Sequence, residues 1–181
     1  MTSAIACLAW GSLFWSPRNL PMKPPWHDDG PSIPVEFARK SKRNYISLVI
    51  EPAARPVPTL WSVMAVHTME AACEALAQRE GTTDPAHIGR WTSGEEQPEV
   101  IAGLADWADA RALDGVVWTA LPPKFDSART PDVDEVLTFL AGLDGAERAF
   151  AERYVRRTHP QIRTHYRARI ESALGWHPRS A

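Results

Sequence analysis

Three groupings in this 181-residue chain have the residue types and setting that chemistry needs. The first is Trp10-Gly11-Ser12-Leu13, a glycine-serine turn at the end of an apolar run that starts at Ile5. Backbone N–H groups in such a turn can hold a carboxylate or a developing oxyanion with little reorganisation, and glycine lets the backbone come close to a ligand. The plainer reading is a simple turn. The second is Glu80, followed by Gly81, at the end of a helical pattern and so at the negative pole of that helix. A positioned carboxylate can take a proton from one nitrogen and return it to another. Its plainer reading is a solvated helix end.

The third is Glu36, a rival acid. On a strand where Val35 and Phe37 point one way, Glu36 and Ala38 point the other, which in a closed barrel is the interior. An ion pair with Arg39 or Arg43 is the favoured account of it. His67, at the end of a later strand, is either a proton carrier or a polar strand terminus. Cys7 and Cys73 lack metal-ligand spacing and read as buried thiols, so no metal site is expected. Seven arginines and one acid, Glu152, fall between Arg148 and Arg169. That basic tail is either a phosphate-binding stripe or, the favoured reading, a salt-bridged helical face.

These residues must be positioned by elements that the pattern also predicts. A buried central strand over 5–10 leads into the Gly11 turn. Residues 16–34 are dense in proline and predict an irregular binding loop. Strands follow over 35–39 and 45–50 as a hairpin, and another over 59–66. Thr68 predicts the cap of a helix over 69–79 that Gly81 ends. Loop is expected over 82–92, then a helix toward Leu113 opened by Ser93 and Glu96, then a strand over 115–121. Three helices close the chain, over 131–141 with Thr130 as cap, 145–157 with Asp144 and Glu147 as a capping box, and 160–174 stopped by Gly175.

Composition sets outer limits. The length suits one domain with a real core, and 44% hydrophobic with 23% charged residues is an ordinary globular balance. A net charge of −2 argues against a chain whose whole surface binds nucleic acid. No stretch approaches the roughly 20 apolar residues that span a bilayer, and no basic leader precedes Ile5, so a cytoplasmic location without membrane contact is expected.

A family resemblance adds to this. The segment Leu8-Ala9-Trp10-Gly11-Ser12-Leu13-Phe14-Trp15-Ser16-Pro17 is similar to the signature of γ-glutamylcyclotransferase-like proteins, an aromatic-Gly-Ser-Leu loop after the first strand, continued in the glutathione-degrading branch by an aromatic and a proline. Leu76-Ala77-Gln78-Arg79-Glu80-Gly81 resembles the family segment that ends a helix in Glu-Gly, whose glutamate is the acid/base. The resemblance covers roughly residues 4–121. Three departures stand out: Trp10 replaces the usual tyrosine, no aromatic follows Gly81, and about thirty residues are inserted over 85–114.

The resemblance implies an α+β fold: a small mixed β-barrel over 1–125 with flanking helices, and a helical C-terminal extension over 126–181 packed on it. It implies an enzyme that needs no cofactor and converts a small-molecule γ-glutamyl amide or peptide to 5-oxoproline and a free amine. Glu80 would be its acid/base and Trp10, Gly11, Ser12 and Leu13 its substrate-holding loop. The competing expectation is a non-catalytic module on the same barrel that binds a small molecule or a partner. Nucleic acid is an unlikely partner, the basic helices being its only support, and the sequence gives no oligomeric state.

Overall fold

The computed structural model describes residues 3–126 and 129–178, which separate into two compact units of interleaved chain. One is built from 3–9, 13–33 and 58–121, the other from 10–12, 34–57 and 122–178.

In the first unit a five-stranded sheet forms around β1 (Ile5–Ala9), whose five residues are all buried. In chain order there follow α1 (Ser12–Trp15), β2 (Met22–His27), β3 (Ser32–Lys40), β4 (Ile46–Ile50), β5 (Pro56–Pro58), β6 (Leu60–Met64) and α2 (Met69–Glu80). Beyond them come β7 (Ile88–Thr92), α3 (Leu104–Asp109), β8 (Gly115–Thr119), α4 (Val133–Ala141), α5 (Gly145–Arg157) and α6 (His165–Leu174). The sheet runs β2-β6-β1-β8-β7; β1 pairs antiparallel with β6 and parallel with β8. The central strand and the mixed α+β architecture are as the sequence predicts. Among the described residues, strand pairing leaves β2 and β7 as open edges, so the expected barrel is a pair of sheets without a closed ring.

Two strands replace expected loops. The proline-rich stretch supplies β2, which pairs with β6 from Met22↔Met64 to His27↔Trp61 across an irregular register. An edge strand tolerates proline because only one side of it must pair. Ser62 adds bonds that no ladder makes here, donating its hydroxyl to the carbonyls of Lys23 and Pro25 at 2.8 and 3.0 Å. Residues 82–92 hold a 3₁₀ turn (Pro85–His87) and then β7, antiparallel to β8. Gly89 lies opposite Trp118, whose indole would be 2.1 Å from a Cβ there, so the ring covers the gap a side chain would fill.

The long helix expected before Leu113 shrinks to α3. Glu95 turns back to accept from the Thr92 N–H at 3.0 Å rather than capping a helix, and Gly103, at φ 75°, makes the left-handed entry to α3.

The second unit carries the three-stranded sheet β4-β3-β5 and helices α4 to α6. The predicted hairpin forms with Val35↔Ile50 and Phe37↔Leu48 in register. Phe37 and Tyr45 pack on Tyr154 of α5 at ring distances of 6.3 and 4.9 Å. The three helices exist: α5 has the expected bounds without the expected capping box, and α4 and α6 start later than expected. Asp132 and Glu135 cap α4, while the Thr130 hydroxyl donates to Glu51 at 2.6 Å. Asp144 gives α5 no side-chain cap bond, and Glu147 accepts from Asn44 instead.

Thr164 caps α6 five residues later than expected, because 160–163 form the corner after α5. Arg167 organises that corner. Its Nη1 donates to the carbonyls of His159 and Ile162 at 2.7 and 2.8 Å, its Nη2 to Thr158 at 2.9 Å and its Nε to Glu171 at 2.9 Å. Elsewhere in the tail, Arg156 pairs with Glu152 and donates to the carbonyls of Gly175 and His177, and Arg169 pairs with Asp134. These contacts are those of a salt-bridged helical face.

Candidate functional site

Glu80 closes α2, and local signals fix where that helix starts and stops. The Thr68 hydroxyl accepts from the Ala71 N–H at 3.2 Å, and Gly81, at φ 69°, lets the chain end in the left-handed turn that returns Thr82 N–H to the Ala77 carbonyl at 3.1 Å. Ala72 and Leu76 bury one face of α2 among Cys7, Leu13 and Val117, which sets the rotation of the helix. Glu80 therefore stands at the rim of this core with its side chain 11% exposed.

The carboxylate is held on one side only. Arg79 Nη1 donates to Oε1 at 2.7 Å, and the Thr119 hydroxyl donates to the same oxygen at 3.0 Å. Oε2 takes no hydrogen bond among the described residues. The Arg79 side chain is 8% exposed; its Nη2 donates to the Ser16 carbonyl at 3.0 Å, and Arg18 donates to the Arg79 carbonyl at 3.4 Å. The segment after α1 is thus tied to the end of α2. A guanidinium beside the carboxylate offsets the negative helix pole that Glu80 also faces.

Cys7 lies in the same unit, fully buried. Burial first, and the Glu80 charge second, push its thiol far above the ordinary range, with Arg79 opposing. It is held as a neutral thiol, not a nucleophile. Both cysteines are free; Cys7 is buried as expected, whereas Cys73 is half-buried on α2.

The predicted substrate loop is largely built into the protein. Trp10 is 5% exposed and Leu13 5%, the latter within the core cluster that contains Cys7 and Leu76. Ser12 opens the single turn α1. A Cβ on Gly11 would stand 2.6 Å from the Tyr154 hydroxyl oxygen, which also accepts from the Leu48 N–H at 3.4 Å. Packing against Tyr154 therefore requires glycine here. Trp10, Gly11 and Ser12 belong to the second unit, Leu13 and Glu80 to the first.

Glu36 is 3% exposed and sits in the second unit. Its Oε1 accepts from the Phe37 N–H at 2.9 Å and from the Thr164 hydroxyl, and its Oε2 from the Tyr166 N–H at 3.2 Å. Burial raises its pKa, with these three hydrogen bonds opposing. The arginine contacts expected for it take another form: Arg39 donates to the Pro122 carbonyl at 2.6 Å, and Glu36 meets neutral donors at the start of α6. His67 is exposed.

Sequence reasoning missed Thr119, which lies 39 residues from Glu80 and follows an apolar strand without any marker of its own. It also missed a cluster around Asp29, whose carboxylate accepts from Trp61 Nε1 at 2.7 Å and from Arg111 at 2.5 Å, while its carbonyl accepts from Trp107 Nε1 at 2.8 Å. Those bonds, Trp61 first, hold the Asp29 carboxyl below its usual range. His27 stacks on Trp61 at 4.5 Å and Arg111 covers Trp107 at 4.9 Å. The eight tryptophans gave a composition signal for aromatic clustering, but not its address. Among the described residues no three His, Cys, Asp or Glu side chains are grouped to hold a metal ion, and no helix is long and apolar enough to cross a membrane.

No family model and no curated protein matches the chain. Among solved structures, the fold is similar to the crystal structure of a γ-glutamyl cyclotransferase specific to glutathione from yeast. The two are 13% identical over 96% of this chain and 98% of that one, with a TM-score of 0.46.

Proposed function

We propose that the protein is a γ-glutamylcyclotransferase-like enzyme that converts a γ-glutamyl amide or peptide to 5-oxoproline and a free amine, with Glu80 as general acid/base. The observation that carries this reading is the one-sided hold on Glu80: Oε1 is fixed by Arg79 and Thr119, while Oε2 is left open to exchange a proton. A carboxylate with both oxygens engaged would have to break a bond before acting.

In the proposed reaction Glu80 takes a proton from the substrate's α-ammonium group. The freed amine attacks the γ-carbonyl of the same γ-glutamyl unit, forming the ring C–N bond and a tetrahedral oxyanion. As the oxyanion collapses, the original amide C–N bond breaks and Glu80 returns its proton to the departing nitrogen; the ring nitrogen then sheds its second proton through Glu80 to the released amine, which leaves as an ammonium. No electrons leave the system and no co-reactant is consumed. In this scheme the Trp10, Gly11, Ser12 and Leu13 backbone supplies N–H groups for the substrate's α-carboxylate or the oxyanion. Glutathione belongs in the substrate panel on account of the Trp15 and Pro17 continuation of the loop.

A second reading, a binding module without turnover, is favoured by Gly11. The space its missing Cβ leaves is taken by Tyr154, so packing accounts for the glycine with no need of a ligand. Release of 5-oxoproline from γ-glutamyl amines, dipeptides and glutathione separates the two. Turnover that Glu80→Gln reduces by about 10²–10⁴-fold supports the enzyme. Binding of these compounds without turnover supports the module.

A further inference from the structure

We infer that Thr119 is a positioning residue for Glu80, its hydroxyl fixing one carboxylate oxygen so that the other is presented to substrate. This rests on the acid/base reading given above. Side chains alternate along β8, so Thr119 shares a face with Val117 and Gly115. Val117 packs with Cys7, Ala72 and Leu76, which makes this the face covered by α2. Valine has nearly the shape of threonine and would end the strand there just as well. A hydroxyl drawn from water onto that face costs free energy unless it is bonded. The bond it makes is to Glu80 Oε1, at 3.0 Å.

Arg79 cannot do the same work alone. It neighbours Glu80 on one helix, and its guanidinium is anchored to the segment after α1 rather than to the sheet. Thr119 comes from a different element, on a short β-branched stem with restricted χ1. It is the donor that ties the carboxylate to the sheet, and holding a reacting group in one geometry acts on turnover more than on binding.

Thr119→Val keeps the shape and removes the donor; Thr119→Ser keeps the donor. In the 5-oxoproline assay Thr119→Val is expected to lower kcat about tenfold with KM within about twofold, and Thr119→Ser to recover kcat to within about threefold of wild type. A readout that needs no substrate is the ¹³Cδ resonance of Glu80 in glutamate-labelled protein, assigned by its disappearance in Glu80→Gln. It should move in Thr119→Val and stay in place in Thr119→Ser. An unmoved resonance, or wild-type kcat, in Thr119→Val overturns the inference. Wild-type turnover by Glu80→Gln, or no turnover of any substrate by wild type, overturns the acid/base reading instead; the resonance then still decides whether Thr119 holds the carboxylate.

Discussion

Glu80 and Glu36 are both nearly buried glutamates, and their surroundings differ in a way that separates chemistry from fastening. Glu80 meets a guanidinium and a hydroxyl on one oxygen and, among the described residues, takes no hydrogen bond on the other. Glu36 has both oxygens engaged by three neutral donors, two of them in the Thr164 to Tyr166 segment where α6 begins. The first is the arrangement that the proposed acid/base role calls for. The second spends the carboxylate on joining β3 to a helix N-terminus, which orphan N–H groups make receptive to an acceptor. The proposal therefore turns on the distribution of donors over the two oxygens rather than on burial alone.

The largest effect that tests this contrast is on rate. Glu80→Gln should abolish 5-oxoproline release by about 10²–10⁴-fold while its melting temperature stays close to wild type. A large loss of stability in that variant would place Glu80 on the fastening side. Next in size is Glu36→Ala, which strands the Thr164 hydroxyl and the Tyr166 N–H and should cost about 2–3 kcal/mol in urea unfolding. If it instead left stability unchanged and stopped turnover, the roles would be reversed.

Gly11 sharpens the comparison at smaller scale. Gly11→Ala pushes a methyl against the Tyr154 hydroxyl and should destabilise by about 1–2 kcal/mol, with partial relief in Gly11→Ala/Tyr154→Phe. Lost turnover at unchanged stability would move Gly11 back to the chemistry. The smallest effect is a drift with pH. A carboxyl whose folded pKa is raised binds its proton more tightly in the native state, so its contribution to stability is full below the ordinary carboxylate range and declines as pH climbs toward the raised value. The stability difference between wild type and Glu36→Gln should therefore shrink as pH rises through that window. Growth of the difference over the same range would refute the raised pKa.

Legibility in the sequence followed the range of the signal. The cap at Thr68 and the stop at Gly81 are local, and the structure repeats them; the strand read over 35–39 is also there, but it is buried on both faces from Ile33 to Ala38 rather than alternating. The strand at 22–27 was hidden because proline normally breaks ladders, and only its edge position, with Ser62 donating to two carbonyls, makes it workable. β7 was hidden by Gly89, whose reason is the Trp118 indole on the neighbouring strand. The Ser93 to Glu96 capping signal failed because Gly94, which would be the first helical residue, takes φ 90° and residues 92–95 close a turn instead. At the site, Glu80 and its neighbour Arg79 could be read from one short segment. Thr119 could not, since a threonine after valines signals only a strand until the fold brings it to the end of α2.

Arg167 makes the corner before α6 depend on residues that follow it in sequence. The bend at 158–163 has few backbone bonds of its own, and the carbonyls of Thr158, His159 and Ile162 are met by a side chain that follows them in sequence. A chain stopped just upstream of residue 167 would leave the Thr158 and Ile162 carbonyls without that donor beside the fully buried Ile162, while the His159 carbonyl keeps the Ile162 N–H at 3.0 Å. The corner from which the C-terminal helix starts is thus completed by a residue of that helix's own first turn.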